Sequence, residues 1–203
     1  MLNKKLITAV LALNLTACGT SWENTRPNRT GLEQILLSTA AERAATKLVA
    51  NQHYALGKSY INSENFEGYD KAYAIHSIRR YLSDAGVALV DDINQADTII
   101  ELAAGGLSID NTYTMVGLPA MGVPVPFAGK LDIPEIALYK NDTNRSIAKF
   151  SVMFRDAKTG KSNHAALTAF GTAETTTWTV LVLFDFVKNN LALPKNYQQL
   201  GDY

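Results

Sequence analysis

One cysteine, three histidines and a Gly-Lys-Ser tripeptide are the residues of this 203-residue chain whose types could do chemistry. His53, His76 and His164 lack the short spacing that sets two imidazoles on one metal ion, and no second cysteine completes a thiolate set, so no metal is expected. Gly160-Lys161-Ser162 ends like a phosphate-binding loop, but Arg155 stands where that pattern needs its first glycine. The residues after Ser162 also read as a strand, not as a helix whose N-terminus could hold phosphate. Gly-x-Ser-x-Gly is absent, so the common hydrolase elbow is missing. No catalytic residue and no cofactor are expected, and the chain does not read as an enzyme. The cysteine, Cys18, is placed differently. Lys4 and Lys5 precede an apolar run over residues 6–13, and Leu15-Thr16-Ala17 lead into the thiol. That order is a secretory signal peptide over residues 1–17. Its apolar run is far short of the roughly 20 residues a membrane-crossing helix needs.

Leu15, Ala17 and Cys18 resemble the lipobox of bacterial lipoprotein precursors, cleaved just before the cysteine. The resemblance implies that Cys18 becomes the mature N-terminus and carries a diacylglyceryl thioether and an amide-linked acyl chain. Gly19, where an Asp would hold an enterobacterial lipoprotein at the inner membrane, implies the cell outer membrane, facing the periplasm. An acylated Cys18 leaves no thiol for a disulfide, so the domain must hold together by packing. At 47% hydrophobic residues it can. Nineteen basic residues balance nineteen acidic ones, which gives nucleic acid nothing to bind.

Residues 18–29 read as a flexible tether, 30–192 as a single domain, and 193–203 as a tail without periodicity. Thr30 and Glu33 fit a capping box, and Leu32, Ile35, Leu36, Ala40, Ala44 and Leu48 recur at helical steps, which predicts a helix over 30–50. A strand is expected over 53–61. A second helix over 70–85 carries Ala74, Ile78, Tyr81 and Leu82 on one face and ends at Gly86. A short apolar strand follows at 87–90 and a longer strand at 97–109, with a bulge or close approach at Gly105-Gly106. A hairpin turning at Asn141-Asp142-Thr143-Asn144, a second turn at 156–160, a strand over 163–175 and a buried strand or short core helix over 178–187 complete the pattern. The expected architecture is α+β: a mainly antiparallel sheet with two amphipathic helices on one face.

Residues 111–134 stand out. Pro119, Pro124, Pro126, Pro134 and three glycines argue against regular structure there, yet Met115, Val116, Leu118, Met121, Val123, Val125 and Phe127 sit among them. Either the segment covers the core, or it presents an apolar contact surface to lipid or protein.

The run from Thr25 to Thr30, Glu33 to Ser38, Gly117-Leu118-Pro119, Pro134 to Leu138, and Asp156 with Thr159-Gly160 resemble a group of Gram-negative lipoproteins of uncharacterised function. The resemblance spans most of residues 25–180 and transfers no catalytic residue. It implies an envelope lipoprotein. Fold-level likeness to lipoproteins that assist envelope transport or assembly is analogy alone. The expected function is therefore a lipid-anchored, non-catalytic protein that binds another envelope protein. The alternative is a carrier of a lipid or small apolar ligand between the sheet and residues 111–134.

Overall fold

A computed structural model describes residues 28–50, 56–125, 129–162 and 164–192. The signal peptide, Cys18, most of the tether, His53, Phe127 and the tail lie outside the described residues, as does the side chain of Val125. The chain divides after Thr30, and the unit from Gly31 onward holds the helices and the sheet described below.

Helix α1 (Gly31–Val49) forms because Leu36, Leu37, Ala40, Ala41, Ala44, Ala45 and Leu48 make one buried stripe, with Glu33 in its first turn and Lys47 in its last complementing the helix dipole. Alanine along that stripe lets the helix lie close to the sheet. Helix α2 (Lys71–Asp84) buries Ala74, Ser77, Ile78 and Leu82. It closes as expected at Gly86, whose φ of 87° allows the Gly86 N–H to reach Ser83 O (2.9 Å) and the Val87 N–H to reach Leu82 O (3.0 Å).

The strands are β1 (Lys58–Asn62), β2 (Ala88–Val90), β3 (Thr98–Leu118), β4 (Met121–Val125), β5 (Gly129–Ile133), β6 (Ile136–Asp156), β7 (Leu167–Val180) and β8 (Phe184–Asn189). Six form one sheet in the order β2-β1-β3-β6-β7-β8, and β4 pairs with β5 separately. β1 runs parallel to β2 and β3, while the remaining pairs are antiparallel. This is the expected α+β class. Both helices share one core with the sheet, in which Phe66 and Phe150 meet at 5.1 Å beside Phe154, Ile100, Leu102, Ile78 and Leu36. Each such side chain contributes roughly 1.5–3 kcal/mol when fully buried.

Three expectations are corrected. The segment 111–134 is not irregular: β3 continues to Leu118, and β4 and β5 form a hairpin beyond it. Its prolines fall where the ladder is interrupted, at Pro119 and Pro134, or in the edge hairpin, at Pro124. Asn141-Asp142-Thr143-Asn144 is not a turn but the middle of the 21-residue strand β6. Residues 178–187 are neither buried nor one element, because β7 ends at Val180, a turn spans 181–183 and β8 begins at Phe184.

Candidate contact surface

Alternation along the long strands sets the geometry of the site. From Tyr139 onward in β6 the buried side chains are Ser146, Ala148, Phe150, Val152 and Phe154, so even positions there face the helices and odd positions face away. The neighbouring strand needs a correction to stay in phase. Ile100, Leu102 and Ala104 of β3 pair with Phe154, Val152 and Phe150 toward the helices, and a register shift between Ala104 and Gly106 then turns Leu107 and Ile109 inward instead. This is the bulge expected at Gly105-Gly106. By exchanging the faces it sends Val116 and Leu118 to the side away from the helices.

Beyond Ile109 and Ser146 the sheet outruns its helical layer. Asp110 to Leu118 alone extends it by roughly 30 Å at 3.3–3.4 Å per residue. The two faces of this arm differ in chemistry. Toward the helix side lie Asn111, Tyr113, Lys140, Asp142, Asn144 and Thr177. There the Asn111 amide donates to Asp142 Oδ1 (2.7 Å) and to Asn144 Oδ1 (3.1 Å). The Tyr113 hydroxyl and Lys140 Nζ both donate to Glu135, at 2.7 and 2.9 Å. Lys140 hydrogen bonding, followed by that of Tyr113, holds the Glu135 carboxyl below its usual range, and the same carboxylate raises both partners.

The outer face is apolar at its far end. Cross-strand pairing places Val116, Tyr139, Val180 and Phe184 in one row and Thr114, Asn141, Trp178 and Phe186 in the next. Phe184 and Phe186 are 56% and 58% exposed, and Leu183 in the adjoining turn reaches 81%. Leu118 and Ile136, paired past a second register shift, are exposed beside them. The β4–β5 hairpin is itself two-faced: Met121 and Val123 oppose Ile133 and Leu131, while Lys130 and Asp132 pair at 3.6 Å on the other side.

Of the residues expected to form a contact surface, Val116, Leu118, Met121 and Val123 are exposed as required. Met115 is not grouped with Val116, since it faces the helix side, where its sulfur lies 3.2 Å from the Tyr113 hydroxyl oxygen. Val125 ends β4, and Phe127 lies outside the described residues. Sequence reading missed Trp178, Val180, Phe184, Phe186 and the turn between the last two strands, because dense apolarity reads as burial.

The remaining chemical candidates are dispersed. His76 neighbours the Tyr73 ring at 6.5 Å, and His164 stands edge-on to Phe154 at 5.7 Å. Gly160, with φ of 69°, completes a turn in which Asp156 Oδ1 accepts from the Thr159 N–H, the Thr159 hydroxyl and the Lys158 N–H, the Thr159 N–H foremost in lowering the Asp156 pKa. Among the described residues no three His, Cys, Asp or Glu side chains cluster as metal ligands. Nor is any described helix long and apolar enough to cross a membrane.

Fold and surface together define an α+β domain with an amphipathic β-arm projecting beyond its core. The chain belongs to a family of unknown function, DUF6655, whose model matches residues 12–183. No curated protein matches it.

Proposed function

We propose that this chain is a lipid-anchored protein of the outer membrane, facing the periplasm, that acts by contact and not by catalysis, and that the outer face of the arm makes the contact. The observation that carries the reading is the set of exposed apolar side chains Val116, Tyr139, Leu181 to Phe184 and Phe186, with Trp178 and Val180 half-buried among them, on a sheet whose helices stop short of it. A soluble surface rarely keeps so many large apolar groups together without a use for them. Attachment through Cys18 rests on the signal sequence and lipobox. A carrier has less support. It needs residues 111–134 folded back over the sheet, whereas 111–118 continue β3 within it and β4 pairs only with β5, and the space beside Met121, Lys130 and Ile133 is an open trough.

The test uses the full chain in native envelopes, with a photoreactive residue at Leu183. Adducts to an envelope component should form in the parent and be lost in Phe184→Ser/Phe186→Ser, with the unfolding midpoint little changed because both rings are more than half exposed. Adducts that persist in the double variant would refute the arm as the contact. Cys18→Ser, in the same cells, should appear as unprocessed precursor or leave the membrane fraction; normal processing with unchanged outer-membrane recovery would refute the anchor.

A further inference from the structure

Building on the arm as contact surface, we infer that what it contacts is a phospholipid surface, into whose interfacial layer the tip of the β7–β8 hairpin dips. The first support is a gradient along the strands. Leu181, Val182 and Leu183 close the β7–β8 hairpin, with the Leu181 and Val182 N–H groups donating to Leu138 O and Ala137 O of β6, and Val116, Tyr139, Val180 and Phe184 come next. Trp178 and Phe186 follow with Thr114 and Asn141, then Thr112, Thr143, Thr176 and Lys188, and finally Asp110, Arg145 and Glu174. Read from the tip inward along the outer face, aliphatic groups give way to aromatics, hydroxyls and charges, while the intervening row on the helix side, Lys140, Thr179 and Asp185, is polar. That is the order of polarity met on leaving the acyl region of a bilayer through its headgroups, where Trp and Tyr are enriched. A protein-binding patch instead has an apolar centre ringed by polar groups. Here the apolar zone runs out to the end of the hairpin.

The turn supplies the second support. Leu181 and Val182 have φ of 52° and 68°, a left-handed conformation that hairpins normally give to Asn or Gly. In a β-branched residue it is a genuine outlier. Such conformations are strained and persist at sites with a use for them. Apolar side chains occupy this exposed turn despite that strain, which an aqueous turn would have no reason to bear. Spanning is not implied, because open strand edges cannot lie in hydrocarbon. Strand addition by a second copy is discouraged as well: Pro124 offers no N–H along β4, and Asp185 and Lys188 place charges on the edge strand β8.

The chain's two tryptophans make this measurable. In Trp22→Phe, Trp178 becomes the sole indole. The full-length acylated protein is placed on phosphatidylcholine vesicles, either plain or brominated on the acyl chains. Trp178 emission should shift to the blue and fall at least twofold on the brominated lipid. Adding Leu183→Asp and Phe184→Asp, both at exposed positions, should abolish the quenching while the protein still floats with the vesicles. Unquenched Trp178 on floating protein would overturn the inference, and so would crosslinking of Leu183 to a second copy or to another protein in place of lipid. Failure to float refutes the acyl anchor alone. Emission is then read at vesicle excess, where quenching upholds the inserted tip and its absence overturns it.

Discussion

Gly171 shows how much a single missing methyl can decide. A Cβ built there would stand 1.9 Å from Ala40 O and 2.5 Å from Ala44 N, so α1 lies against the backbone of β7 with nothing between them. That closeness brings the Arg43 guanidinium to Thr172 O (2.6 Å) and Lys47 Nζ to Phe170 O (2.8 Å), seating the helix along the strand. Gly171→Val should therefore push helix from sheet, at a cost of about 1–3 kcal/mol or more for overpacking. A lower urea midpoint would register it. Gly31→Ala, where an added Cβ meets nothing within 4 Å, serves as the contrast and should cost nothing. An unchanged midpoint in Gly171→Val would mean that the close approach is not needed. The sequence marked Ala40 and Ala44 as a helical face, but nothing in it paired them with Gly171. Contacts across 127 to 131 positions follow from packing, which local periodicity does not encode.

At the scale of elements, both helices, the Gly86 stop and the glycine bulge were legible because each has a local cause: a 3.6-residue period, a left-handed cap, a missing side chain. The long strands were not. Asn, Asp, Pro and Gly carry turn propensity, yet in β3 and β6 the polar side chains find partners across the ladder, as Asn111 does with Asp142 and Asn144 and Thr143 with Thr176 (3.0 Å). Cross-strand pairing outweighs the local preference. The Tyr113–Glu135–Lys140 cluster extends this tie to the point where β6 begins. Its pH dependence follows from the directions of the shifts. Glu135 is depressed, so its contribution is present above the ordinary glutamate value of about 4.3 and is lost as pH falls through the lower folded value. Lys140 and Tyr113 are raised, so theirs is present below their ordinary values and is lost as pH rises through the higher folded ones. Glu135→Gln should return the Tyr113 pKa toward that of an ordinary tyrosine, read from its ring carbon shift in a labelled sample. A Tyr113 titration identical in parent and variant would show that the hydrogen bond does not form in solution.

For the molecule as a whole, the strands that build the core also run past it. Hydropathy identified Val116, Leu118, Met121 and Val123 because apolar residues among prolines are conspicuous, and it misread residues 178–187 because it records what a side chain avoids and not what covers it. Body and arm should consequently respond differently to loss of apolar groups. Phe150 is fully buried against Phe66, so Phe150→Ala should cost about 3–5 kcal/mol of stability. Val123 and Leu131 oppose each other in the β4–β5 hairpin at 37% and 57% exposure, outside the shared core. Burial of a side chain is worth roughly 1.5–3 kcal/mol only when it is complete, so Val123→Ser/Leu131→Ser should move the midpoint far less than Phe150→Ala does. Urea unfolding of the parent and both variants, followed by backbone circular dichroism, makes the comparison. Equal losses in the two variants would mean that the β4–β5 hairpin is covered by the domain after all and belongs to the core, not to an exposed surface.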